Sequence, residues 1–149
     1  MIQLKNILTP QRVHIMDLGQ SKKRVIQSIS AEISKDCSEL NENEIFDHLI
    51  AREKLGSTGF GFGVAMPHCR MDACNKVIGS FFKLSEPVDF DALDNQKVDM
   101  IFVLLVPSEA AEEHLQTLAA IAEKFSQTEF LEAVRSKEHS SEIFELLSL

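Results

Sequence analysis

Residues 100–106 form an unbroken apolar run, MIFVLLV, in the second half of the chain. Seven residues are far fewer than the roughly 20 that a membrane-spanning helix needs. A strand that is apolar on both faces must be covered on both sides, so the run predicts a central strand packed between helices. The chain has 149 residues, enough for one substantial core. We therefore expect a single domain over residues 1–149.

Two amphipathic helices are predicted before this strand. Asn41 and Glu44 have the spacing of a capping box, so the second helix starts there and ends before Gly56. The first helix opens at Ser21, where apolar residues begin to recur at helical spacing. The apolar stripes of the two helices are Val25, Ile26, Ile29 and Ile33, and then Ile45, Phe46, Leu49 and Ile50.

Strand patterns alternate with these helices. Residues 60–65 alternate large and very small side chains, which predicts a strand with one nearly bare face, and residues 77–84 predict another strand. A helix is expected from Ser108, followed by shorter helices near residues 128–135 and 141–147. Because helices and strands are interleaved, the predicted fold is α/β: a mixed β-sheet sandwiched between helices on both faces.

Composition excludes several classes of partner. The chain carries 23 acidic and 15 basic side chains, a net charge of -8. Nucleic acids and anionic lipids are bound through clustered Lys and Arg, so neither is an expected direct partner. The N-terminus does not have the pattern of a secretion signal. Three cysteines fit a reducing compartment better than a disulfide framework, and we predict a cytoplasmic protein.

Four of the six glycines fall in the segment GSTGFGFG at residues 56–63. Such a density of glycine lets backbone amides approach a ligand or a partner closely, and successive amides can hold an anion. Gly59, Gly61 and Gly63 have the wrong spacing for a dinucleotide-binding fingerprint. No Lys-Ser or Lys-Thr follows to complete a P-loop. The segment alone therefore indicates close approach without identifying a ligand.

Pro67 and His68 follow the glycine-rich segment. Proline donates no backbone hydrogen bond, so the preceding strand should end there and present His68 at the rim of the sheet. Neutral imidazole is a competent nucleophile near pH 7, and a hydrogen bond to one ring nitrogen determines which nitrogen attacks. His68 is therefore a candidate nucleophile. A histidine with a purely structural role is the alternative for a single residue of this kind.

Several segments together resemble a known family. They are residues 52–59 (REKLGSTG), the pattern G-x-G-V-A-x-P-H at residues 61–68, residues 90–99 (FDALDNQKVD), Leu105-Val106-Pro107 and His114-Leu115. This combination resembles the IIA components of the bacterial phosphotransferase system, in the mannitol/fructose class. Within that class the chain is most similar to the nitrogen-regulatory IIA proteins. The resemblance covers nearly the whole chain.

The resemblance implies a regulatory phosphocarrier of the nitrogen phosphotransferase system. His68 would accept a phosphoryl group from a phosphohistidine on an HPr-type carrier, in this case its nitrogen-system paralogue. Its phosphorylation state would then control downstream target proteins. Arg52 and His114 are the supporting site residues that the resemblance implies. Both suit a loose in-line transition state that needs positioning and charge stabilisation. Neither ATP nor a metal cofactor is required.

Two other functions stay open. In the first alternative, the protein is a sugar-specific IIA transport component of the fructose or mannitol type. The second alternative is a binding module that is never phosphorylated. Cys69 favours the latter, because the family usually has glycine directly after the histidine. A cysteine there could alter the loop or reshape the rim that meets a partner.

Cys69 and Cys74 raise two further hypotheses. With His68 they offer nitrogen and sulfur ligands, but three ligands without C-x-x-C spacing make a poor zinc motif. Two thiols five residues apart could also be oxidised to a disulfide. For Arg52, a cation at a helix end that pairs with the helix dipole or with Glu53 is the structural alternative. For His114 it is a solvent-facing position on a helix.

Overall fold

The fold is described by a computed structural model that covers residues 3–109 and 111–149, with the side chains of residues 111–114 outside the described part. Its sheet has six strands. They are β1 (Val13–Met16), β2 (Gly59–Gly61), β3 (Val64–Ala65), β4 (His68–Met71), β5 (Ile78–Val88) and β6 (Val98–Pro107).

Strand β6 contains the apolar run and lies in the middle of the sheet. It pairs antiparallel with β5 along one edge and parallel with β3 and β4 along the other. Strand β1 lies parallel beside β5, and β2 lies antiparallel beside β3. The sheet is therefore mixed, and β4 and β3 follow each other along the same edge of β6.

In the part of the chain that the structure describes, five α-helices cover the sheet on both faces, as the sequence predicts. They are α1 (Lys22–Asp36), α2 (Glu42–Glu53), α3 (Ala111–Phe125), α4 (Thr128–Ser136) and α5 (Ser140–Leu147), with 3₁₀ turns at Leu4–Asn6 and Pro10–Arg12. Among the described residues, no helix combines the length and the apolar character that crossing a bilayer requires.

The two faces of β6 belong to two separate cores. Ile101, Val103 and Leu105 pack with the apolar residues of α1 and α2. Phe102 and Leu104, which alternate with them, pack with the apolar residues of α3, α4 and α5. This alternation confirms the prediction of a central strand that is buried on both sides.

The predicted starts of α1 and α2 are confirmed. Ser21 Oγ accepts a hydrogen bond from the Arg24 backbone amide at 3.2 Å. Asn41 Oδ1 accepts from the amides of Asn43 and Glu44 at 2.9 and 3.1 Å. Each cap satisfies backbone donors that the first turn of a helix leaves without a partner. Helix α3 begins at Ala111, later than the expected start at Ser108.

The single strand predicted over residues 60–65 is wrong. The chain reverses at Phe62 and Gly63, which separates β2 from β3 and pairs them antiparallel. Gly61, Phe62 and Gly63 have φ angles of 113°, 61° and 79°. This left-handed backbone is accessible to glycine, so the alternating glycines make a tight turn here.

Strands β1 and β4 are not predicted by the sequence. The strand before Pro67 does end at Ala65, as expected, but the chain resumes pairing with β6 at His68. His68 therefore begins a strand. Strand β5 also extends past the predicted residue 84 to Val88, with a register irregularity between Lys83 and Val88. Strands β1 and β4 have only four residues each, too few for an alternating pattern to stand out in the sequence.

Candidate functional site

Helix α2 and strand β4 bring two of the expected site residues together. Arg52, in the last turn of α2, donates a hydrogen bond from Nε to His68 Nε2 at 3.3 Å. His68, the first residue of β4, is half-buried. His114, the third expected residue, falls within α3, and its side chain lies outside the described residues.

Two neighbours select the same tautomer of the His68 ring. Nδ1 lies 2.8 Å from the carbonyl oxygen of Met66. A carbonyl only accepts, so Nδ1 carries the proton. Nε2 then has a lone pair, which accepts from Arg52 Nε. The nitrogen that can act as a nucleophile is therefore the one that faces the guanidinium.

The pKa of His68 is lowered from its ordinary value of 6.5. Burial is the largest cause, because it disfavours the charged ring. The hydrogen bond to the Met66 carbonyl raises the pKa, whereas the positive charge of Arg52 lowers it further. His68 is consequently in its neutral, nucleophilic form at neutral pH.

Arg52 is held in place by the loop that follows its helix. Its Nη1 donates to the carbonyl oxygen of Gly56 at 3.0 Å. In a guanidinium the Nε–H bond and one Nη2–H bond point in the same direction. The edge directed at His68 is therefore a two-donor fork, the geometry that matches two oxygens of a phosphoryl group or a carboxylate.

Glu53 holds the same loop in place. The sequence analysis did not predict this structural role. Its buried carboxylate accepts from the Thr58 amide at 3.0 Å and from Thr58 Oγ1 at 2.8 Å. Lys22 Nζ pairs with it at 2.9 Å. The Thr58 carbonyl in turn accepts from the amide of Met66, whose own carbonyl orients His68. Glu53 therefore pairs with Lys22 and Thr58, whereas Arg52 forms its hydrogen bond with His68.

An open cleft of about 540 Å³ surrounds the two residues. Its described ionisable lining consists of basic and imidazole groups, together with the buried thiol of Cys69. The apolar part of the lining includes Leu55 and Leu115, which are 84% and 65% exposed. The described residues that line the cleft are His48, Ala51, Arg52, Leu55, His68, Cys69, Arg70, Leu115 and Leu118.

Phe60 and Phe62, the large residues of the glycine-rich segment, do not lie around His68. Phe60 packs against the core under α3 to α5. Phe62 is exposed at the turn between β2 and β3, where Arg135 Nη2 donates to its carbonyl at 2.6 Å. That turn lies beside Asp99, whereas His68 pairs with Leu104. These two positions of β6 are five residue steps apart, a distance of about 16 Å.

Two glycines of the glycine-rich segment are packed closely against other residues of the chain. A Cβ atom at Gly59 would lie 2.9 Å from Ala92 Cβ, and one at Gly63 would lie 2.8 Å from Asp99 Oδ1. Such contacts are closer than side chains can pack. The groups that approach these two glycines closely are therefore the chain's own residues.

Cys69 lies in regular strand structure, paired with Leu105, and its side chain is buried. Its φ angle is negative, so the position needs no glycine in this chain. Burial raises the pKa of Cys69 to about 12 and that of Cys74 to about 11. Protonated thiols are unreactive, which argues against the disulfide hypothesis. Among the described residues there is no group of three or more His, Cys, Asp or Glu side chains that could hold a metal ion.

Known proteins that are similar to this chain identify its family. Residues 6–149 match the family model "Phosphoenolpyruvate-dependent sugar phosphotransferase system, EIIA 2". A nitrogen regulatory protein of Pseudomonas aeruginosa is 44% identical over 147 residues, which cover 99% of this chain and 96% of that protein. The chain belongs to the EIIA type 2 family.

Solved structures show the same relationship for this EIIA type 2 chain. The nitrogen regulatory protein IIA-Ntr from Neisseria meningitidis superposes with a TM-score of 0.90 at 38% identity, covering 97% of this chain and 98% of that one. Escherichia coli enzyme IIAMtl, solved in complex with phosphorylated enzyme IIBMtl, has a TM-score of 0.73 at 19% identity, covering 94% and 96%. The second likeness concerns the fold alone.

Proposed function

We propose that this EIIA type 2 protein is a regulatory phosphocarrier of the nitrogen phosphotransferase system, working in the cytoplasm. His68 accepts a phosphoryl group from a phosphohistidine on an HPr-type carrier, the nitrogen-system paralogue. The observation that carries the proposal is the pairing of His68 Nε2 with Arg52 Nε at 3.3 Å, on a ring whose proton is held at Nδ1. The nucleophilic lone pair of His68 and the charged guanidinium of Arg52 therefore lie next to each other in an open cleft.

The transfer step needs no external acid or base. The lone pair of His68 Nε2 forms a bond to phosphorus while the bond between phosphorus and the donor's ring nitrogen breaks. The electron pair of that bond returns to the donor imidazole. His68 keeps its Nδ1 proton throughout, and the Met66 carbonyl accepts the hydrogen bond from it more strongly as the ring gains positive character.

Arg52 is the charge-stabilising residue in this step. Negative charge on the transferred group is spread over three equatorial oxygens in a loose transition state. As the new bond forms at Nε2, the Arg52 Nε–H and the parallel Nη2–H are directed at those oxygens. The contact of Nη1 with Gly56 fixes the fork in advance, so little reorganisation is needed during the reaction.

His114 is assigned here on the family resemblance, as a second imidazole donor beside the acceptor. Phosphorylation then acts through charge: about -1.5 to -2 is added at the cleft, which changes the proteins that can dock there. The regulatory role is favoured over sugar transport because the similar proteins at 44% and 38% identity are both named nitrogen regulatory proteins.

The experiment that tests the function is transfer from a phosphorylated HPr-type carrier to the purified protein. We expect one phosphoryl group per chain, seen as a gain in intact mass, and a bond that acid hydrolyses and base leaves intact, because a phosphohistidine has this stability profile. A chain that gains no mass from the carrier would contradict the proposal. So would a modification that survives acid and is lost in base.

A further inference from the structure

The described lining of the cleft around His68 carries positive charge in a protein that is strongly acidic overall. The whole chain has a net charge of -8. Nevertheless the described lining of the cleft contains two arginines, Arg52 and Arg70, two histidines, and no Asp or Glu. A concave surface of one sign raises the local concentration of the opposite charge. The cleft is therefore suited to an anionic group even before any phosphoryl group is attached.

Arg70 is the second charged donor of the cleft. It lies two residues after His68 on β4, and alternate residues of a strand project from the same face. Its side chain is exposed and makes no hydrogen bond or ion pair with any residue that the structure describes. By contrast Arg12 and Arg135 are paired with Asp36 and Asp99. Arg70 therefore keeps all its donors for a group that comes from outside.

The rim beside these charges is apolar. Leu55 follows α2, and Leu115 and Leu118 lie on α3, so leucines from two elements line the same cleft as the arginines. Leu55 is 84% exposed. Exposed apolar side chains around a charged centre are typical of a protein interface and unlike a site for a free inorganic anion.

We propose that in the unphosphorylated protein this cleft binds a carboxylate side chain, flanked by apolar residues, on a regulatory target protein. The carboxylate takes the donors of Arg52 and Arg70, and its flanking side chains cover the leucine rim. This inference rests on the proposed function, because a phosphoryl group on His68 would occupy the same donors. Phosphorylation and target binding are then mutually exclusive, with no rearrangement of the fold.

The probe for this inference is a pair of peptides, N-acetyl-Leu-Glu-Leu-amide and N-acetyl-Leu-Gln-Leu-amide, titrated into the unphosphorylated protein and followed by amide chemical shifts. We expect saturable shifts along β4 with the Glu peptide and about tenfold weaker binding of the Gln peptide, since hydrogen bonds to a charged group exceed neutral ones by about this factor. Inorganic phosphate should compete with the Glu peptide for the same donors.

Two arginine variants test whether the Glu peptide binds at the cleft. Arg70→Gln should weaken binding of the Glu peptide about tenfold, whereas Arg24→Gln, which removes an exposed arginine of α1 that does not line the cleft, should leave it unchanged. Equal affinity for the two peptides would overturn the inference. The absence of a saturable shift over the soluble range of the Glu peptide, or persistence of the shift in saturating phosphate, would overturn it as well.

The two proposals fail separately. If the protein accepts a phosphoryl group from the carrier but does not prefer the Glu peptide, only the carboxylate site is wrong. If the Glu peptide binds selectively and the carrier transfers nothing, only the phosphocarrier role is wrong.

Discussion

Replacing His68 with glutamine is expected to abolish phosphoryl uptake from the HPr-type carrier. A carboxamide is close to the imidazole in size and keeps an oxygen that can accept from Arg52, but its nitrogen has no nucleophilic lone pair. Intact mass after incubation with the phosphorylated carrier measures the effect. We expect the parent to gain one phosphoryl group and His68→Gln to gain none.

His139→Gln is the matched control, since His139 is exposed ahead of α5 and does not line the cleft. It should be labelled at the parent's rate. A thermal unfolding curve of His68→Gln that coincides with the parent's shows that the loss is chemical. Full labelling of the folded His68→Gln protein would show that His68 is not the phosphoryl acceptor.

Arg52→Ala is expected to slow transfer by about 10²- to 10³-fold, the effect of removing one preorganised donor that stabilises developing charge. The fold should be retained, because Arg52 contacts His68 and the Gly56 carbonyl at a half-buried position outside both cores. Rapid-quench measurement of single-turnover transfer gives the rate. Arg52→Lys should recover part of it, since lysine keeps the charge and loses the parallel donors.

Lys54→Ala is the control for Arg52→Ala. Lys54 is exposed at the same end of α2 and does not line the cleft, so its removal changes the net charge equally without touching His68. We expect transfer close to the parent's rate. A rate for Arg52→Ala equal to that of Lys54→Ala would show that the guanidinium acts only through general charge and plays no part at His68.

Much of the fold follows from long, strongly periodic segments. The run at residues 100–106 predicts the central strand, and the caps at Ser21 and Asn41 predict the starts of α1 and α2. The hairpin at residues 59–65 is different. A period of two describes a strand, but with glycine at every second position it also permits the left-handed backbone seen at Gly61 and Gly63. The local sequence pattern cannot distinguish a strand from a turn here, because the contacts that hold the turn come from Arg135 and Asp99, which are distant in the sequence.

The site could be predicted only in part for the same reason. Arg52 and His68 are individually visible in the sequence and in its family resemblance, but their 3.3 Å contact depends on how α2 packs beside β4. The role of Glu53 was hidden because a glutamate next to an arginine at a helix end suggests a local ion pair. Its true partners, Lys22 and Thr58, lie on α1 and in the loop before β2. Arg70 could not be placed on the same face as His68 from the sequence, because β4 was not predicted as a strand.

The most direct test of the central claim is the identity of the phosphorylated nitrogen. Nitrogen-15 NMR of the ¹⁵N-labelled protein, after transfer from the carrier, distinguishes the two ring positions of each histidine. With Nδ1 held by the Met66 carbonyl, we predict that the phosphoryl group is bonded to Nε2 of His68 alone. A phosphoryl group on Nδ1 of His68, or on another histidine, would contradict the geometry from which the function is derived.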